Sequence, residues 1–262
     1  MDRILFTTYS PEDIGRYRSQ AEGLGAGLEC HVFADPVLLS SNGSVEHTVQ
    51  LLAGQLTGFA GTLGFHGAFY DMISASVDPE VVALTLRRYR QGLHITSQLG
   101  GEYIVFHANY MGGWKLANYR EGWQQRQVDF WRSFAAEAAS RGVYVLIENM
   151  WAPEPAILLD LLKAVDNPFM RACFDVSHAA LYSPFAIGDW IETLAPYLHV
   201  CHLNNTDGVT DSHLPLGTGL IDFAEVLAQL RALPSPPLLT LEMPGWDIVS
   251  ASLPFLDLAP SS

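Results

Sequence analysis

The stretch HLNNTDGVTDSHLPLGTG, residues 202–219, puts His202, Asp207, Asp211 and His213 in one loop that runs into Gly217 and Gly219. These are metal-ligand residue types, and the loop leaves directly from the apolar run LHVCHLN. Other apolar runs close on the same types: LGFHG on His66, YIVFH on His107, VYVLIE on Glu148, RACFDV on Asp175 and LLTLE on Glu242. A lone His at such a position is more often a hydrogen-bonded rim residue, and a lone Glu more often the start of a loop. Six in series, all His, Asp or Glu and never Lys, Ser or Asn, call for another reason. Carboxylates gathered at one place repel each other, and burial raises the cost. A divalent cation relieves it, and mixed His and carboxylate donors suit Zn, Mn, Fe or Co better than Mg or Ca.

Such a cluster needs elements that aim it. The short apolar runs 3–9, 27–33, 63–67, 103–107, 143–148, 171–176, 198–204 and 238–242 read as eight strands. Helical patterns lie between them: 78–100, which opens on an Asp cap and ends at glycine, 122–142, and shorter ones near 11–24, 45–60, 153–165, 186–196 and 222–232. Eight strand–helix units in a chain of 262 residues predict a single α/β domain, a (β/α)8 TIM barrel, with a loose tail at 255–262. The doubly wound sheet is the rival; it opens on a Gly-rich phosphate turn, and FTTYSPED is not one. Active-site groups of a barrel sit at strand C-termini. Period-two alternation puts Leu146 with Glu148, and Val105 with His107, on the inner face. The third to eighth strands therefore aim a His or carboxylate at one mouth.

Composition narrows the partners. The formal charge is −14, from 14 Lys and Arg against 28 Asp and Glu. That balance disfavours DNA and anionic membranes as partners and favours a small molecule, leaving a homo-oligomer open. The start MDRILFTTYS has no apolar stretch of signal-peptide length, and no run approaches the roughly 18 apolar residues of a membrane span. Cys30, Cys173 and Cys201 cannot all pair within one chain and sit in apolar runs, so buried free thiols and a cytoplasmic location are expected.

The motifs resemble those of the xylose isomerase-like TIM barrels, which include endonuclease IV and the sugar isomerases and epimerases. FDVSHA resembles the superfamily's Asp-x-x-His motif, giving Asp175 and His178. HLNNTDGVTDSHLPLGTGLIDF resembles its seventh-strand His followed by Asp-x-His and a Pro-x-Gly-x-Gly-like turn, giving His202, Asp211 and His213. LIEN and LEMPG resemble its fifth- and eighth-strand glutamates, Glu148 and Glu242. In endonuclease IV-like enzymes nine residues hold three zinc ions. The resemblance implies His66, His107 and Glu148 for the first ion and a bridging Glu148, Asp175, His202 and Glu242 for the second. It implies His178, Asp211 and His213 for the third. Asp207 reads as a turn residue, and the glycines as letting the loop turn sharply and approach the site. His31, on the face of Glu29, reads either as a residue supporting the site or, preferably, as core.

The sequence departs from endonuclease IV after the fourth strand. HANYMGGWKLANYREGW offers Tyr110, Trp114, Lys115 and Arg120, either as a substrate-binding lid or as an ordinary loop packed on the rim. The run RRYR, 87–90, reads as a solvated helix face. Three function classes are in play. A metal-dependent hydrolase with up to three Zn ions is slightly favoured, because a one-metal epimerase does not need His66, His107, Asp211 or His213. A sugar or sugar-phosphate isomerase or epimerase with one Mn-like ion is the alternative, with Glu148 and Glu242 as acid and base. A non-catalytic metal-binding protein is third.

Overall fold

The structure is a computed structural model that describes residues 2–259. Parallel strands β1 (Ile4–Thr8), β2 (Gly27–Cys30), β3 (Leu63–His66), β4 (Tyr103–His107), β5 (Tyr144–Glu148), β6 (Met170–Asp175), β7 (Leu198–Leu203) and β8 (Leu238–Leu241) pair in chain order. β1 then pairs with β8, Ile4 opposite Leu239, and closes the barrel. Helices α1 (Ile14–Leu24), α2 (Asn42–Leu56), α3 (Pro79–Gln98), α4 (Tyr119–Ser140), α5 (Ala156–Val165), α6 (Val176–Tyr182), α7 (Ile187–Leu194), α8 (Phe223–Arg231) and α9 (Trp246–Ser252) cover it.

Local chemistry explains the helix starts. Asp78 accepts from the Glu80 amide at 2.9 Å with Pro79 at the first helical position of α3, and Asp222 caps α8 through Ala224 and Glu225. Inside the barrel, Leu5, Tyr103, Val105, Leu146, Cys173, Val200 and Leu238 form a packed layer. The residues two places on from Val105, Leu146, Cys173 and Val200 are His107, Glu148, Asp175 and His202, so alternation sets the mouth directly above an apolar floor.

Three boundaries differ from the sequence reading. β2 stops at Cys30, because His31 leads into a single 3-10 turn, Val32–Ala34. α6 was not expected as a separate helix. Asp175 is both the last residue of β6 and the cap of α6, accepting from the His178 amide at 2.6 Å and the Ser177 hydroxyl at 3.0 Å. The loose tail expected over 255–262 does not hold at its start: Leu253–Leu256 form a 3-10 turn with Leu253 and Leu256 buried, and Pro260–Ser262 lie outside the described residues. The three cysteines are buried free thiols, as expected. Among the described residues no helix is long and apolar enough to cross a membrane.

Candidate metal centre

His66, His107, Glu148, Asp175, His178, His202 and Glu242 are all buried at the mouth, and Asp211 and His213 join them from the loop after β7. Glu148 is the hub. Its Oε2 lies 3.4 Å from Nε2 of His66 and of His107 and 3.6 Å from Nδ1 of His202, and its Oε1 lies 2.9 Å from Nδ1 of His178. Glu242 Oε2 lies 3.1 Å from His202 Nδ1. Asp211 meets His178 Nε2 at 3.3 Å and His213 Nε2 at 3.2 Å. His213 sits at φ +46°, a left-handed backbone that L side chains rarely adopt, and its Nδ1–H donates to the Glu242 carbonyl at 2.7 Å.

The loop that brings Asp211 and His213 is tied at its neck. Asn205 and Leu214 form a bridge, with N–H···O distances of 2.9 and 2.8 Å. Asp207 accepts from the amides of Val209 and Thr210 at 2.8 Å, the turn role expected of it. Gly219 has φ +102°, and a Cβ there would stand 2.5 Å from the Thr206 carbonyl, so only glycine fits. The glycines therefore serve the loop's own fold: a Cβ on Gly217 would touch the Phe255 ring, not the mouth.

Electrostatics follow from the crowding. Burial alone would raise the Glu148 carboxyl, but His107, His178 and His66 hold it well below the ordinary range. Burial is likewise overcome at Glu242, which His202 and His213 draw down to about 2. Asp175 goes the other way: burial, reinforced by Glu242 and Glu148, pushes it up to about 6. Against burial, Glu242 and the Asp211 hydrogen bond lift His213 to about 10, whereas burial lowers His107 and His31.

The donor atoms fall into groups of three. His66, His107 and Glu148 form one group whose ligand atoms lie within 4.8 Å of each other; Asp175, His202 and Glu242 form a second, and His178, Asp211 and His213 a third. Glu148 Oε2, His178 Nδ1 and both ring nitrogens of His202 are buried without an aligned hydrogen-bond partner among the described residues, close as their charged neighbours are. Buried polar atoms left unpaired are costly. Such lone pairs fit divalent cations, and the N and O donor set suits a first-row metal.

Not every expected residue is here. Trp114, Lys115, Arg120 and Tyr110 do not line the mouth cavity. Tyr110 is buried against Trp123 at 5.0 Å, Trp114 is 56% exposed beside Tyr119, and Lys115 is exposed. Arg120 spends its charge on Glu154 and on Asp160 at 2.9 Å. Tyr110 packs inward beneath the rim, while Trp114 stays largely exposed and away from the mouth. RRYR is not a bare solvated face either: Tyr89 is fully buried, Arg88 reaches the Leu39 carbonyl at 2.6 Å and Arg90 pairs with Glu137. The rings at the mouth come instead from Tyr9, Phe69, Tyr70, Trp151 and Tyr182. His31 lines the cavity too, so it is more than core.

Sequence reasoning missed Glu29, Asn149 and Asn204. Asn204 donates to Asp175 Oδ2 at 2.8 Å. Asn149 clamps the Asp175 backbone, accepting from its amide at 2.7 Å and donating to its carbonyl at 2.9 Å. Both follow or neighbour strand-end ligands in LIEN and HLNN, which was the available signal.

Comparison with known proteins agrees with this architecture. The family model described as xylose isomerase-like TIM barrel matches residues 42–257. A protein from Thermus thermophilus, whose crystal was soaked with zinc chloride, is 31% identical with 98% of this chain and 97% of that one covered, at TM-score 0.75. A D-tagatose 3-epimerase-like protein superposes at TM-score 0.78 with 20% identity over 97% of this chain and 96% of its own. A D-allulose 3-epimerase from Methylomonas sp. superposes at TM-score 0.77 with 17% identity, over 98% and 97%. At such identities these two share the fold. An uncharacterised protein of Methanocaldococcus jannaschii is 25% identical over 185 residues, 68% of this chain, and the match spans only 62% of that curated relative.

Proposed function

The chain belongs to the xylose isomerase-like TIM-barrel family, and from that premise we propose a divalent-metal-dependent enzyme of isomerase or epimerase type, acting on a small uncharged polyhydroxylated substrate. The observation that carries this is the mouth cavity. It measures about 640 Å³, has Glu148 and Glu242 in its wall, aromatic rings around it, and no Lys or Arg among its described lining residues. A cavity of this order takes a sugar-sized molecule. A phosphate group calls for arginine or lysine, so the lining favours an unphosphorylated sugar over a phosphodiester. The epimerase names of two compared structures support the same reading.

Glu148, Asp175, His202 and Glu242 would hold the ion. When bound, a divalent ion there supplies Lewis acidity to adjacent substrate oxygens and acidifies the C–H between them. The chain supplies the proton transfer. Glu148 and Glu242 come from β5 and from the end of β8, three strands apart in the ring, and so approach from different sides. One carboxylate takes a proton from carbon, and the other, ionised at rest, passes one to the opposite face from a neighbouring imidazole, His178 beside Glu148 or His213 beside Glu242. The rings of Tyr9, Trp151 and Tyr182 restrict water at the rim. The test is incubation of metal-loaded protein with ketopentoses and ketohexoses in D2O. Deuterium entering beside the carbonyl, with a new epimer, is expected. No exchange with any sugar, together with cleavage of an activated phosphodiester, sinks the reading.

A specific observation favours a second reading. The groups His66–His107–Glu148 and His178–Asp211–His213 are fully assembled, and one-ion proton transfer leaves His66, His107, Asp211 and His213 without a task as ligands. These residues would hold further ions, and such ions would supply the acidity and the charge stabilisation that a hydrolase needs. Metal stoichiometry separates the two: about one tightly held ion per chain fits the first, and more than one fits the second.

A further inference from the structure

We propose that Glu29 is the positioning residue of the site, holding the Nε2 side of both His31 and His202 from below and so turning both Nδ1 atoms toward the mouth. This rests on the metal-site reading above.

Glu29 is completely buried inside the barrel on β2 and does not line the cavity. Its Oε1 is shared by two imidazoles, 2.7 Å from His31 Nε2 and 2.9 Å from His202 Nε2. Its Oε2 accepts from the Tyr103 hydroxyl at 2.6 Å and from Thr240 at 3.2 Å. Among the described residues no Lys or Arg pairs with it; the charged contacts it makes are to histidines. An ionised carboxylate at the centre of a barrel costs several kcal/mol to desolvate. A glutamine would satisfy Tyr103 and Thr240 without that cost, so the hydroxyls alone do not explain the charge. The imidazoles do. The far nitrogen of His202, Nδ1, lies 3.1 Å from Glu242 and 3.6 Å from Glu148, and that of His31 lies 3.8 Å from Glu242. A carboxylate can only accept, so the aligned Nε2 of His31 carries its proton toward Glu29, and His202, its Nδ1 given to an ion at the mouth, would present Nε2–H to the same oxygen. The His202 contact is close but off the donor direction, while the His31 contact is aligned, so His31 reports the tautomer more cleanly. Carboxylates set behind ligating histidines raise metal affinity about 10–100-fold.

The test uses zinc-loaded protein, wild type and Glu29→Gln. Zinc dissociation constants come from competition with a chelator, and ring tautomers from long-range 1H–15N spectra of histidine. Expected are an Nε2–H His31 in wild type, a tautomer mixture for His31 in E29Q, and zinc held about 10–100-fold more weakly by E29Q. A merely structural Glu29 would cost stability and move neither readout. E29Q with the wild-type constant, or wild-type His31 with its proton on Nδ1, overturns the proposal; the second measurement stands even if E29Q does not fold. Wild-type protein that binds no zinc overturns the metal reading and this inference with it, whereas zinc binding unchanged in E29Q overturns this inference alone.

Discussion

Glu148 touches four histidines, His66, His107, His178 and His202, through two oxygens. Glu148→Gln keeps the side-chain volume but removes the charge that these imidazoles surround. Turnover should fall by about 10²–10⁴-fold, the usual worth of a positioned acid or base, with metal bound more weakly and the far-UV spectrum unchanged. Near-normal turnover and metal content would displace Glu148 from the centre of the site. His213 sorts the two readings. If it only orients substrate, His213→Ala leaves metal content unchanged and raises KM by roughly tenfold, one hydrogen bond's worth. Elemental analysis showing one ion fewer per chain moves the assignment to the multinuclear hydrolase. At this scale the sequence was informative where residue type and alternation agreed: each His or carboxylate closing an apolar run reached the mouth. It was uninformative for Glu29, a single carboxylate mid-strand whose partners come from β4, β7 and β8. It misled for Trp114, Lys115 and Arg120, because composition does not say which way a loop folds.

The strands were legible because β-branched runs alternate with long helical periods, and the closure of β1 on β8 follows from their number. α6 was hidden. It has seven residues, too few to show a helical period, and its cap is already spoken for as a strand-end ligand. One residue thus ends a strand, starts a helix and faces the site, so Asp175 cannot be varied to test the cap alone. α8 allows the cleaner experiment. Asp222 is exposed and accepts from two amides at the helix start. Asp222→Ala should cost about 1 kcal/mol and lower Tm by roughly 2–4 °C, with kinetics unchanged. A loss of activity without a loss of Tm would show that α8 communicates with the mouth in a way its contacts do not explain.

For the whole molecule, stability carries a dependence on pH and another on metal. At the end away from the mouth, His199 stacks on Tyr144 at 4.6 Å; burial, with Arg3 and Arg171 nearby, lowers its pKa to about 4. Its folded value is below the unfolded value of about 6.5, so the unfolded chain binds this proton first. The stabilisation is complete above about pH 6.5 and is lost as pH falls toward 4, by up to roughly 3 kcal/mol. His199→Phe keeps the stack and should flatten part of the acid limb in melts compared with wild type between pH 6.5 and 4.5; parallel curves would rule His199 out as the source. The mouth carries a different consequence. Its donors come from six neighbouring strands of the ring, β3 to β7 and the end of β8, and each supplies at least one. An ion held by Glu148, Asp175, His202 and Glu242 is a rivet across half the ring, from β5 to the end of β8, and a rivet that binds only the closed ring makes stability a function of its concentration. Each tenfold rise in free metal above the dissociation constant adds about 1.4 kcal/mol for every ion bound. A plot of unfolding free energy against the logarithm of free zinc is therefore a counting device: its slope reads the number of ions directly, with no substrate in hand.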